Sequence, residues 1–179
     1  LWIVPSWHES PDPNAINLIL DPGMAFGTGS HPTTRLCLEW LERNVSTACS
    51  VLDYGCGSGI LAIAAARLGA GHVAGVDIDP QAVEAANANA ERNGVTALFA
   101  DSATPVAGEY DVVVANILSN PLRVLAPAIC AHVRSGGKLA LSGILREQAD
   151  EIIANYAQWL PLQVADVRED WVCLAGTKP

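Results

Sequence analysis

The chain has 179 residues, half of them hydrophobic, and a formal net charge of −9. It is long enough to bury one full core without disulfide or metal staples, and its acidic balance argues against direct nucleic-acid binding, which rests on lysine and arginine neutralising phosphates. The longest apolar runs, ILAIAAA and YDVVVANIL, are far shorter than a membrane span, so no membrane partner is expected. Five cysteines fall at irregular spacing with no C-x-x-C, which argues against a disulfide framework and a zinc site and suits the reduced thiols of a cytoplasmic protein.

The chain opens on LWIVPSW, strand-like and without an initiator methionine, and reads as a fragment whose upstream domain is missing. Next comes DPGMAFGTGSHPTT (21–34). Its glycines Gly23, Gly27 and Gly29 suit a cover that closes over a ligand and reopens. Alternatively the segment is only a turn and cap, since Ser30 and Pro32 suit the start of the helix HPTTRLCLEWLERN (31–44). From Ser50 onward, β-rich runs alternate with helical ones: SVLDY, GILAIAAARLGA, HVAGVDI, PQAVEAANANAERNG, TALFA, YDVVVANIL, NPLRVLAPAICAHVR, GGKLALSGI and REQADEIIANYAQWL. Such alternation builds βαβ units and a mostly parallel sheet covered on both faces. The last stretch, LQVADVREDWVCLAGT, breaks at RED and reads as an antiparallel hairpin on the sheet edge. SGGKL (135–139) reads as a turn entering a strand, Gln148 as a cap on the helix after it, and Ser119 or Asn120 as a cap on the helix after Asn116.

VLDYGCGSGILAIAAA is a strand, a glycine turn and a helix, the arrangement that places a ligand at a helix N-terminus beside strand carboxyl ends. Its glycines, Gly55, Gly57 and Gly59, follow G-x-G-x-G; the dinucleotide pattern G-x-G-x-x-G fails at Ile60, which favours a ligand without a pyrophosphate. Asp77 ends the next strand, where its carboxylate can accept both hydroxyls of a ribose. Asp79, just before Pro80, suits a helix cap. Asn116, at the end of the buried strand YDVVVAN, carries an acceptor oxygen and two donors, suited either to orient an incoming amine or to hold the amino end of a cofactor; the plain alternative is a strand-end turn. His31 suits a loop or cap, and His8, His72 and His132 share no metal-like spacing with it, so no metal is assigned.

The set LDYGCGSG, GVDID, YDVVVANIL and SGGKLALSG resembles the S-adenosylmethionine-dependent methyltransferases. More narrowly, DPGMAFGTGSHPTT with GCGSGILAIAA, VANIL and LSGIL resembles the bacterial methyltransferases of ribosomal large-subunit protein eleven. The resemblance implies an α/β, Rossmann-like class I methyltransferase fold: a seven-stranded mostly parallel sheet with an antiparallel C-terminal hairpin and helices on both faces. It implies S-adenosyl-L-methionine as methyl donor and ribosomal large-subunit protein eleven as the partner trimethylated on lysine side chains and the N-terminal amine. It assigns Gly55, Gly57, Asp77 and Asn116 to cofactor binding, with Thr34 offered to the methionine moiety, Phe26 lying against the cofactor and Asp101 meeting the adenine edge; Asn116 is also the catalytic residue. One catalytic domain, 1–179, is expected, with 1–25 as linker and lead-in strands, 26–47 as lid loop and covering helix, and 48–179 as Rossmann-like core.

The family's N-terminal recognition domain is expected to be absent, which leaves a cofactor-binding fragment inactive without it as one alternative. Another is a small-molecule or other protein N-methyltransferase. Asn116 is followed by Ile-Leu-Ser and not the Pro-Pro-Tyr of methyltransferases acting on bases or glutamine amides, so a planar substrate lacks its stacking aromatic. A nicotinamide-dependent oxidoreductase is disfavoured by the glycine spacing and by the lack of a Tyr-x-x-x-Lys. A lysine amine, with an ordinary pKa near 10.4, must lose its proton before it can attack. No residue stands out as general base, so proximity and an apolar, water-poor pocket are expected to carry the chemistry, with water taking the proton.

Overall fold

The computed structural model describes residues 1–20, 29–101 and 106–179. Two short strands, β1 (Trp2–Val4) and β2 (Asn17–Ile19), pair in parallel as a separate ribbon ahead of helix α1 (Pro32–Asn44). The core then runs β3 (Ser50–Tyr54), α2 (Ile60–Arg67), β4 (His72–Asp77), α3 (Pro80–Arg92), β5 (Leu98–Asp101), β6 (Tyr110–Asn116), α4 (Ser119–Ala131), β7 (Val133–Leu145), α5 (Ala149–Tyr156), β8 (Leu162–Arg168) and β9 (Trp171–Thr177). These last seven strands form one sheet in the order β5-β4-β3-β6-β7-β9-β8, parallel except for β9, which runs against both its neighbours.

Alternation along the central strands explains the layering. Val51, Val112 and Val114 face one core with α1, α2 and α3, while Leu52, Val113 and Ala115 face another with α4 and α5. A strand buried on both faces has no polar side to show, hence its unbroken apolar run. On α1, Leu36, Cys37 and Leu41 are fully buried; each leucine contributes about 1.5–3 kcal/mol relative to exposure. Between the two helices of the second face, the buried Tyr156 hydroxyl donates to Leu122 O at 2.8 Å.

The N-terminal ribbon is fastened to this core by Leu18 and Leu20 in the core, by an ion pair between the Leu1 amino group and Glu42 on α1, and by one amide that answers its backbone. Asn93, which follows α3 and is buried, accepts from Ile19 N at 2.7 Å and donates through Nδ2 to Ile19 O at 2.8 Å.

Local expectations hold at several ends and fail at others. Asp79 caps α3 by accepting from Gln81 N; Gln148 holds the cap position of α5 but makes no side-chain bond to that helix, its amide oxygen instead accepting from Leu145 N across a short 3-10 turn. α1 is capped by His31, whose Nδ1 accepts from Thr33 N, and not by Ser30. Neither Ser119 nor Asn120 caps α4; the cap position falls on Leu118, which has no side-chain acceptor to offer. SGGKL is not a turn ahead of a strand but a swelling inside β7: Val133 pairs with Tyr110 and Lys138 with Val112, so the residues between bulge outward. The hairpin between β8 and β9 turns at Glu169, which adopts φ +55.

Candidate functional site

The carboxyl ends of β3, β4 and β6 converge on the glycine turn 55–59. Gly55, Gly57 and Gly59 have φ of +80, +52 and +78, a region that costs little only for glycine. Gly55 N and Cys56 N both donate to Val76 O, at 2.8 and 2.9 Å, which stitches the turn to the end of β4. At Gly59 a Cβ would sit 2.9 Å from Ala86 Cβ on α3, so the third glycine lets α2 approach α3.

Asp77 organises the turn. One carboxylate oxygen accepts from Gly57 N at 2.8 Å and the other from Asp79 N at 3.0 Å. Each oxygen keeps a second lone pair for a ligand hydroxyl. Asp101 stands beside it, in register with Asp77 across β4 and β5, and borders a groove of about 600 Å³ with Ala100, Val106 and Tyr110.

On the other side of the turn, Asn116 Nδ2 donates to Thr34 Oγ1 at 3.3 Å. Thr34 is buried in the first turn of α1. The bond joins the end of β6 to the covering helix, and in this arrangement Oδ1 remains for a donor. Phe26, with Gly23 and Gly27, lies outside the described residues. Gly29, φ +81, packs where a Cβ would overlap Ile3 and approach Ile60 Cδ1 to 3.1 Å, so the far end of the first glycine segment meets both β1 and the start of α2.

A further acid was missed from the sequence. Asp53, in β3, is 1% exposed. Its Oδ2 accepts from Ala62 N at 3.1 Å, and Oδ1 has no partner among the described residues. Burial, reinforced by the charge of Asp77, pushes its pKa up to about 7. The available signal was a carboxylate inside an apolar strand just ahead of a glycine turn, VLDYG, where an acid has no reason to be unless something meets it.

The site contains acids and no cation. All ten lysine and arginine side chains are held elsewhere: Arg35 and Arg168 by Glu39, Arg43 by Asp166, Arg67 by Asn93 O and Arg92 by Asn89. Arg123 meets Glu151, Arg134 meets Asp111, Arg146 meets Glu169 O, Lys138 meets Asn44 and Lys178 meets backbone carbonyls. Nor is there a thiolate nucleophile: burial pushes the Cys56 thiol in the turn well up, and Cys37 is raised by its hydrogen bond with Cys173 and then by burial. Among the described residues no three His, Cys, Asp or Glu side chains gather as a metal set, and no helix is long and apolar enough to cross a membrane.

Residues 1–179 match the family model described as ribosomal protein L11 methyltransferase (PrmA). The chain belongs to this family. A ribosomal protein L11 methyltransferase of Dechloromonas aromatica (strain RCB) is 94% identical over the whole chain, which spans 60% of that relative's length. Among solved structures, a ribosomal protein L11 methylase from Lactobacillus delbrueckii subsp. bulgaricus is 36% identical, with a TM-score of 0.88 over 98% of this chain and 93% of that one. A 16S rRNA N2 methyltransferase of T. thermophilus, in complex with AdoMet and guanosine, is 25% identical with a TM-score of 0.70, covering 87% of this chain and 45% of that one. The PrmA family match and the seven-stranded sheet agree on a Rossmann-like class I methyltransferase fold.

Proposed function

We propose that this chain is the catalytic part of an S-adenosylmethionine-dependent N-methyltransferase that trimethylates lysine side-chain and N-terminal amines of ribosomal protein L11 in the cytoplasm. The observation that carries it is the cation-free acidic donor set around a left-handed glycine turn. A phosphate-bearing cofactor needs lysine, arginine or a ring of free amides. A sulfonium cofactor bearing a ribose and an ammonium group needs carboxylates. Asp53, with a buried oxygen lacking a partner among the described residues, and Asp77, with lone pairs to spare, fit that demand.

The cofactor, when bound, supplies an electrophilic methyl for in-line displacement: the carbon–sulfur bond breaks as a nitrogen–carbon bond forms. The chain's own residues do the rest. Gly55 and Gly57 let the backbone approach, Asp77 holds the ribose, and Thr34, with Phe26 and Asp101, encloses the cofactor. Asn116 Oδ1 accepts an N–H of the incoming neutral amine and aims its lone pair, while water takes the proton released after transfer. Residues 26–47 serve as lid and covering helix over the core 48–179, with 1–25 leading in, and substrate capture draws on the further length found in the relatives. Neither a nucleic acid nor a membrane enters this scheme.

The decisive experiment pairs isothermal titration of S-adenosylmethionine with single-turnover methyl transfer to ribosomal protein L11. Asn116→Ala should lower the transfer rate about 100-fold and cofactor affinity less than fivefold. Equal losses would remove the orienting role.

A further inference from the structure

We infer that Ile117 is a positioning residue that fixes the Asn116 end of β6 against the glycine turn, with Gly55 and Gly143 as the two sockets that admit it. The inference rests on the assignment of Asn116 to the amine and of the turn to the cofactor.

Ile117 directly follows β6 and is gripped from two sides. Its Cγ2 occupies the space that a Cβ on Gly55 would take, whereas its own Cβ stands 3.8 Å from that point. Its main chain fills the corresponding space at Gly143, with the carbonyl carbon at 2.8 Å and the nitrogen at 3.2 Å from a Cβ placed there. Both glycines are left-handed, at φ +80 and +84. The second socket comes from an irregularity in β7. Leu141 pairs with Leu174 and Ile144 with Val172, so β7 carries one residue more than β9 between those rungs. On its other side Ser142 pairs with Asn116. The bulge therefore presses a residue without a side chain against the peptide that follows Asn116.

The side chain of Ile117 thus reports on the cofactor turn and its backbone on the sheet, and Asn116 lies between them. In-line methyl transfer tolerates little misplacement, so a contact that sets this spacing acts on turnover without touching substrate.

A double-mutant cycle tests it. Gly55→Ala should weaken S-adenosylmethionine binding at least tenfold, and at least threefold less than that in the Ile117→Ala background, because the remaining Cβ to Cβ separation is an ordinary contact. Ile117→Ala alone should cut turnover on ribosomal protein L11 at least tenfold with cofactor affinity within threefold, and Ile117→Val should restore most of it. Gly143→Ala should behave as Ile117→Ala does. Gly136→Ala is the control for backbone strain alone, since φ there is +73 and nothing lies within 4 Å; it should change turnover less than twofold. An additive cycle, or losses in turnover and cofactor affinity that move together, overturns the inference while wild-type binding stands. Absence of wild-type cofactor binding overturns the functional assignment and this inference with it.

Discussion

Two aspartates at opposite ends of the same strand pair have opposite fates. Asp111, at the start of β6, accepts from both the backbone N and the hydroxyl of Ser50 and pairs with Arg134, and these bonds, the Ser50 N–H first, hold its pKa below the ordinary carboxylate value. Asp53, near the end of β3, has one oxygen without a partner among the described residues, and burial pushes its pKa up to about 7. At the amino edge this carboxylate is fully partnered; at the carboxyl edge Asp53 keeps one oxygen without a partner among the described residues. One aspartate lowers the folding free energy and the other is held at a cost, and the costly one lies toward the end where open α/β sheets bind ligands.

This contrast can be broken from either edge. The largest effect is expected at Asp77: Asp77→Ala frees Gly57 N and Asp79 N and removes the ribose acceptor, and should lower S-adenosylmethionine affinity about 100-fold, roughly 2.7 kcal/mol by titration calorimetry, with a smaller loss of folding stability, about 1 kcal/mol, from the two backbone bonds given up. Next is Asp53→Asn. With a folded pKa above its unfolded value, Asp53 keeps its proton in the fold while the unfolded chain releases it, so stability falls as pH rises from about 4 to 7 and is level above. The asparagine removes that slope and should gain on the order of 2 kcal/mol at pH 7.5, read from urea midpoints across the pH range; a slope unchanged by the substitution would mean that Asp53 is ionised in the fold. The smallest effect belongs to Asp111→Asn. Its lowered pKa gives stability that is present above the unfolded value near 3.9 and lost as pH falls through the folded one. Because the side chain is 31% exposed, about 1 kcal/mol is expected at neutral pH, with cofactor affinity untouched. A drop in affinity there would show that the two edges are coupled.

Local pattern carried most of the fold. Short β-rich apolar runs alternating with helical segments located every core strand and helix, since burial on two faces leaves a strand apolar throughout and burial on one face leaves a helix striped. The glycine turn and Asp77 were legible because strand, turn and acid follow one another within 25 residues of chain, Asp53 to Asp77 included. What stayed hidden depends on distance or on burial. Asn116 meets Thr34 across 82 positions and Asn93 meets Ile19 across 74, and no spacing rule joins them. Asp53 was passed over because its neighbours explained the strand without it. The bulge at Gly143 is a mismatch between β7 and β9, invisible until the two are laid side by side.

The Asn93 amide, answering both the N–H and the C=O of Ile19, behaves as a peptide group supplied from a helix end: a third rung, one residue long, on a ribbon of two strands. Its consequence is modular. Residues 1–20 are held by their own bonds to the core, independently of the covalent link through 21–28, so a chain nicked between Leu20 and Gly29 should retain its first twenty residues as a small non-covalent subunit, and the two pieces should find each other again when mixed.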